Sequence, residues 1–368
     1  MRVAFAILLT ALTLAGCSAV ETIDYYWQSA SGQLDILARA KPIPEILEQS
    51  EDAALKRRLE RVQAIRAFAS RELSLPDNRS YTRYTDLGRP FVVWNVFATP
   101  ELSLKPRQWC FPVAGCVNYR GYFRESEARE EAGRLRDAGH DVFIGGVPAY
   151  STLGYFDDPV LSTFLRWPDT EVARLVFHEL AHQIVYVKDD TAFNESFAVA
   201  VEEAGVRRWL KAEDNAQLDA QFARGQRLRS AFRDLTREAR SRLQEIYASA
   251  APDDVKRDSK MQTFAAMRAS FDEAKDGEPG LAGYDRWFTG VNNAGPNNAN
   301  LASVALYSAR VPAFRELLRE AGDDLPRFYT KVRALALLPK VDRDAMLTRL
   351  ARPEESTRAA RASEVIDP

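Results

Sequence analysis

The pair His178 and His182, with Glu179 beside the first of them, constrains this chain more than any other feature. Two histidines four residues apart on a helix place both imidazoles on one face, where they can share a metal ion. The segment Phe-His-Glu-Leu-Ala-His-Gln over 177–183 must then be helical. Its apolar company, Leu175, Val176, Phe177, Leu180 and Ala181, marks that helix as buried. The chain has three histidines in all, and two of them are here. Glu179 is placed to reach a metal-bound water, take its proton and later deliver it to a leaving amine. Zinc is the expected ion, because imidazole and carboxylate suit it and hydrolysis needs no redox chemistry; manganese or cobalt could substitute.

A catalytic zinc site takes three protein ligands and leaves one position open. The expected third ligand is Glu195, in Phe193-Asn194-Glu195-Ser196-Phe197-Ala198. The twelve residues between His182 and Glu195 allow the first helix to finish, a turn at Lys188-Asp189-Asp190-Thr191, and a second helix from near Asn194 to return antiparallel. Asp169 or Thr170 is the expected cap of the first helix. Glu202, two turns after Glu195, falls on the same face and is expected to orient a ligand imidazole from behind. Glu203 points elsewhere and is assigned to the surface. Glu202 and Glu203 are the reserve ligands. Each residue also has a plainer reading: histidines on an ordinary helix, and Glu195 as a first-turn carboxylate favoured by the helix dipole.

The pair of segments His178-Glu179-Leu180-Ala181-His182-Gln183 and Asn194-Glu195-Ser196-Phe197-Ala198 resembles the HELAHQ…NEGFA signature of the gluzincin aminopeptidases. The resemblance implies a zinc ligand at Glu195 and a familiar acid at Glu202. The spacer here is shorter, and no GAMEN-type segment for a free amine is present. More broadly, the chain resembles a family of bacterial lipoproteins described as putative aminopeptidases. The segments that carry this are Trp109-Cys110-Phe111-Pro112-Val113 with Gly115-Cys116, Tyr119-Arg120-Gly121-Tyr122-Phe123, Ala149 to Pro159, and the two zinc segments. A zinc-dependent peptidase acting on peptide or protein substrates is implied, most simply an aminopeptidase. A zinc endopeptidase acting on envelope proteins, or a non-catalytic binding lipoprotein on the same fold, are the alternatives; an intact Glu179 argues against the last.

The first residues, with Arg2 followed by the apolar run Val3–Leu14 and then small residues, form a secretion signal over 1–16. Leu14-Ala15-Gly16-Cys17 resembles the bacterial lipobox, which implies cleavage before Cys17 and a lipid anchor on its sulfur. Ser18 follows where an Asp would retain the protein in the inner membrane, so the resemblance implies the outer membrane, facing the periplasm. In such an oxidising compartment the close pair Cys110 and Cys116 is read as a disulfide rather than a metal site. The net charge of −2 gives no basic excess that would point to nucleic acid. After the first twenty residues no apolar run is long enough to span a bilayer.

The rest of the chain is mostly helical. Residues 46–73 carry apolar residues at spacings of three and four, and 206–275 form long charged helices whose charge is read as a solvated face. Strand-like segments fall at 90–97, 109–123 and 141–147, with a helix over 126–138 capped by Ser126. The expected class is α+β, a zincin-like metallopeptidase fold with a small antiparallel sheet and an HExxH helix, as a single domain over 17–355 with a disordered tail over 356–368. Peptide hydrolysis also needs a donor for the developing oxyanion. Tyr307 is the candidate, with Tyr150, Tyr186 and Tyr247 as rivals. Gly145 and Gly146 could let a substrate backbone approach an exposed edge strand, or could simply precede a turn. His140 is assigned to the surface.

Overall fold

The computed structural model of the chain describes residues 24–111, 115–289, 295–305 and 310–351. The expected signal segment over 1–16, Cys17, Tyr307 and residues 356–368 lie outside the described residues. Helix α1 (24–39) leads through a two-residue strand β1 (Lys41–Pro42) to α2 (Ile43–Gln49) and α3 (Ala53–Leu73). In α3 Leu59, Val62, Ile65 and Phe68 are buried at helical spacing, and the Asp52 carboxylate caps it by accepting from the backbone N–H groups of Ala54 and Leu55.

The strands are confined to the middle: β2 (Arg83–Thr85), β3 (Val93–Pro100), β4 (Trp109–Phe111), β5 (Gly115–Val117), β6 (Arg120–Tyr122), β7 (His140–Val147) and β8 (Val160–Leu161), with α4 (Glu125–Asp137) before β7. They form three small sheets, not one. The largest has the order β6-β3-β7 and is antiparallel, with Asn95 opposite Gly121 on one side and Gly145 on the other. Along β3, Trp94, Val96 and Ala98 pack with α4 residues Ala128, Ala132 and Leu135, while Phe97 packs on the other face. That period of two buries the strand on both faces. The second sheet, β1-β2-β8, contains a parallel pair between β2 and β8, which corrects the all-antiparallel expectation. The third is the β4–β5 hairpin, where Cys110 sits opposite Cys116 and the two are joined by a disulfide. Helix α4 starts one residue before Ser126, with Arg124 at its cap position and no side-chain cap; Glu125 and Glu127 occupy its first turn instead, where the dipole favours them.

From residue 162 the chain is helical: α5 (Ser162–Leu165), α6 (Asp169–Ala181), α7 (Thr191–Glu213), α8 (Ala216–Ala248), α9 (Asp253–Gly277), a 3₁₀ turn (Pro279–Tyr284), α10 (Asp285–Thr289), α11 (Asn298–Ala305), α12 (Val311–Glu320), α13 (Leu325–Ala336) and α14 (Lys340–Leu350). The class is α+β and mostly helical. The largest apolar core joins α3, α6 and α7 to α12, α13 and α14, and a smaller one lies among α8, α9 and α10. No helix among the described residues is long and apolar enough to cross a membrane.

Candidate metal centre

Helix α6 begins after Pro168, with Asp169 and Glu171 in its first turn; neither Asp169 nor Thr170 caps it through a side chain. Both still serve the helix start, Asp169 by placing negative charge at the positive dipole end and Thr170 as a buried residue. Val172, Ala173, Val176, Phe177 and Leu180 form its buried face. The helix closes at His182 in a tight turn, with Gln183 N–H donating to Leu180 O at 3.1 Å and Ile184 N–H to Ala181 O at 2.9 Å. The Asn194 side chain then pins the connecting segment. Its Oδ1 accepts from Val187 N–H and its Nδ2 donates to Val187 O, each at 2.8 Å. Helix α7 starts at Thr191, three residues earlier than Asn194, because Asp190 caps it by accepting from Phe193 N–H at 3.2 Å. Arg343 anchors that same Asp190 at 2.8 Å.

Arg61 grips Asp169 at the start of α6 (2.8 Å) and Glu213 at the end of α7 (2.9 Å), so the two helices run antiparallel. Their close approach depends on Gly205: a Cβ there would lie 2.7 Å from Leu73 Cδ1 and 2.8 Å from Phe177 Cδ2.

The result is a convergence of three donors. Nε2 of His178 lies 3.2 Å from Nε2 of His182 and 3.2 Å from Oε2 of Glu195, and His182 Nε2 lies 3.7 Å from the same oxygen. Bonds of about 2.0–2.1 Å at a tetrahedral angle would put ligand atoms about 3.3 Å apart. The donor set therefore fits a zinc-sized cation, and among the described residues it is the group of three or more His, Cys, Asp or Glu able to hold one.

Behind this triangle stands a chain of ion pairs. Glu202 Oε2 lies 3.0 Å from Nδ1 of His178. Arg174 holds the other Glu202 oxygen through Nε at 3.1 Å and through Nη2, and reaches Glu171 at 2.7 Å. Arg229, on α8, closes on Glu171 at 2.8 Å. With a metal bound, the carboxylate at Nδ1 would keep the proton there and leave the Nε2 lone pair to the ion. Helical spacing alone identifies Glu202, but it did not single out Arg174, Glu171 and Arg229. The spacing of Glu171, Arg174 and His178 on one helical face was the available signal.

Burial and charge tune the groups differently. Burial pushes the Glu179 carboxyl up to about 7, into the range where a carboxylate works as a base near neutrality. Burial also brings His182 down to about 4, so its imidazole is neutral at pH 7. For His178 burial acts to lower the pKa, but Glu195 and Glu202 outweigh it and raise the value well above the usual imidazole range. Glu202 is held down to about 2: burial opposes this, and Arg174 and His178 prevail.

The tyrosines sort themselves. Tyr150 donates to Gln33, and Tyr247 to Asn298 at 2.9 Å, so two of the rivals are engaged elsewhere. Tyr186 is raised by burial and then by the Glu195 charge. Two tyrosines that the sequence did not single out are raised by charges of the same centre. Tyr119 is raised by burial and Glu195, and Tyr81 by burial, Glu179 and Asp158. Tyr81 is buried in a left-handed conformation (φ 65°), and its hydroxyl has no hydrogen-bond partner among the described residues. Its loop is held there by Arg66, which donates to the carbonyls of Ser80, Pro76 and Asn78 at 3.0, 2.8 and 2.9 Å.

Two expectations are corrected. Glu203 is buried rather than on the surface, because Arg315 on α12 pairs with both its oxygens at 2.7 Å. His140 is the first residue of β7, opposite Pro100; it is half-buried, with Nδ1 enclosed. The space over Gly146 is filled by the Phe91 ring, 2.3 Å from where a Cβ would stand, and that at Gly145 by Phe143, while β7 itself is an edge strand of its sheet.

The family described as "Putative aminopeptidase" matches residues 24–347. No curated protein and no solved structure matches the chain.

Proposed function

We propose that this chain, which belongs to the family described as putative aminopeptidases, is a zinc-dependent peptidase of zincin-like fold. The observation that carries the reading is the convergence of His178 Nε2, His182 Nε2 and Glu195 Oε2 at 3.2–3.7 Å, with Glu202 behind His178 at 3.0 Å. When bound, zinc supplies a Lewis acid that polarises a carbonyl and makes water acidic enough to react near neutral pH. The protein's residues do the rest. Arg174 fixes Glu202, and Glu202 fixes the His178 ring. The Glu179 carboxylate takes a proton from the attacking water as its oxygen bonds to the scissile carbonyl carbon. It returns that proton to the amine nitrogen as the C–N bond breaks. Its pKa of about 7 serves both halves of the exchange.

The envelope location belongs to the same proposal. It has residues 1–16 removed and Cys17 lipidated, with the peptidase on the periplasmic face of the outer membrane; loss of lipid incorporation in Cys17→Ala tests it. The function is tested by metal content and by hydrolysis of blocked and unblocked peptides, comparing wild type with Glu179→Gln. About one zinc per chain, with cleavage lost in the variant, supports the peptidase, and a requirement for a free amino terminus makes it an aminopeptidase. A chain that binds no metal refutes the reading. Metal without cleavage of either peptide set leaves a binding protein.

A further inference from the structure

A second site lies away from the metal centre. Leaving β3, the segment Glu101–Pro106 is fastened to its surroundings. Asn298 Nδ2 and Lys260 Nζ donate to Glu101 O at 2.8 and 2.9 Å, and Arg257 pairs with the Glu101 carboxylate at 3.0 Å. Between this segment and the second half of α8 is a cavity of about 430 Å³, a size ordinary for small-molecule sites. One wall is apolar, with Leu102 and Pro106; the other presents Arg240, Gln244 and Tyr247, with Lys105 at the edge.

The lining holds two cations and no acid. Two acids close to the segment are engaged elsewhere: Glu101 by Arg257, and Asp141 by Lys260 at 2.7 Å. Arg240 is half-buried, and its Nη1 is enclosed without a hydrogen-bond partner among the described residues. Burial lowers its pKa, and no carboxylate offsets the effect. Contrast Arg229 on the same helix, also half-buried, which pairs with Glu171. A desolvated guanidinium without a counter-charge is costly, and its planar fork matches a carboxylate or phosphate.

We propose that this cavity binds a small carboxylate carried on an apolar body, with Arg240 and Lys105 holding the anion and Leu102 and Pro106 packing the body. The site needs nothing from the metal reading and stands or falls separately.

Calorimetric titration of the full chain with N-acetyl-leucine, its uncharged amide and inorganic phosphate tests it. The acid is expected to bind at least tenfold more tightly than the amide and than phosphate. Arg240→Gln should weaken the acid at least tenfold. Lys105→Gln, an exposed position that does not bear on folding, should weaken it severalfold. Because a carboxylate could also reach the metal centre, binding that neither variant changes overturns the proposal. So does amide binding equal to that of the acid. Phosphate binding as tightly as the acid overturns the apolar-body assignment.

Discussion

Arg174 offers the sharpest test of how the candidate centre is built. Its side chain is 21% exposed, and that of the Glu202 it holds is 6% exposed. Replacing it by Met keeps the aliphatic volume but leaves the Glu202 carboxylate buried with His178 as its remaining partner; Glu171 still has Arg229. Removing one member of a buried ion pair costs about 3–5 kcal/mol. With an unfolding entropy of about 2.1 cal/mol/K per residue, the chain's 368 residues give about 0.8 kcal/mol/K, so the melting temperature should fall by about 5 °C. Glu202→Gln removes the charge while leaving Arg174 its partner Glu171, and should cost less. The double variant should therefore be more stable than the sum of the singles implies, by about 2 kcal/mol. Glu202→Gln should weaken metal binding by about 10–100-fold, since the His178 ring loses its orienting anion, and Arg174→Met should weaken it through the loosened hold on Glu202. Denaturant titration in chelator, followed by competitive metal titration, reads the two effects apart. Additivity within about 0.5 kcal/mol, or unchanged metal affinity in both singles, would refute the relay from Arg174 through Glu202 to His178.

Three further outcomes follow from the same geometry. Gly205→Ala, which in an ordinary helix interior would stabilise, should destabilise by about 1–3 kcal/mol in denaturant unfolding, because the new methyl meets the Leu73 and Phe177 side chains below 3 Å; unchanged or raised stability would show that α6 and α7 have slack. Tyr81→Phe should leave stability unchanged or raise it by about 1 kcal/mol, since the deleted hydroxyl has no partner among the described residues. A clear loss of stability contradicts that, whereas a loss of kcat without one assigns the hydroxyl to the reaction. Burial holds the Asp158 carboxyl at about 6 against an ordinary 3.8. The folded state therefore binds this proton more tightly than the unfolded one. The contribution to stability is full below pH 3.8 and is lost as pH rises to about 6, a change of about 3 kcal/mol. Comparison with Asp158→Asn across that range should show the wild type losing ground as pH rises; parallel profiles would refute it.

The candidate ligand set was legible in the sequence because it is a local pattern. His178 and His182 share a helical face by spacing alone, and Glu195 and Glu202 share one by the same rule. The helical class was legible for the same reason, since periodic apolar residues over 46–73 and 206–275 have few alternatives. Strand segments were also visible in β3 and β7, though their pairing was not. Nothing local in Tyr84 and Thr85 says that they lie parallel to Val160 and Leu161. Capping failed in α4 and α6 because dipole-favoured acids in the first turn can replace a cap.

What tertiary structure decided are the encounters between residues far apart in the chain. Glu203 reads as surface until α12 brings Arg315 against it. Tyr81 is one tyrosine among thirteen until Arg66 folds its loop towards Glu179. Arg240 is one charge on a charged helix until the Glu101–Pro106 segment forms a cavity against it. In each case periodicity fixes which way a side chain leaves its own element, while burial and charge balance depend on what packs opposite, and that is settled only when the whole chain has folded.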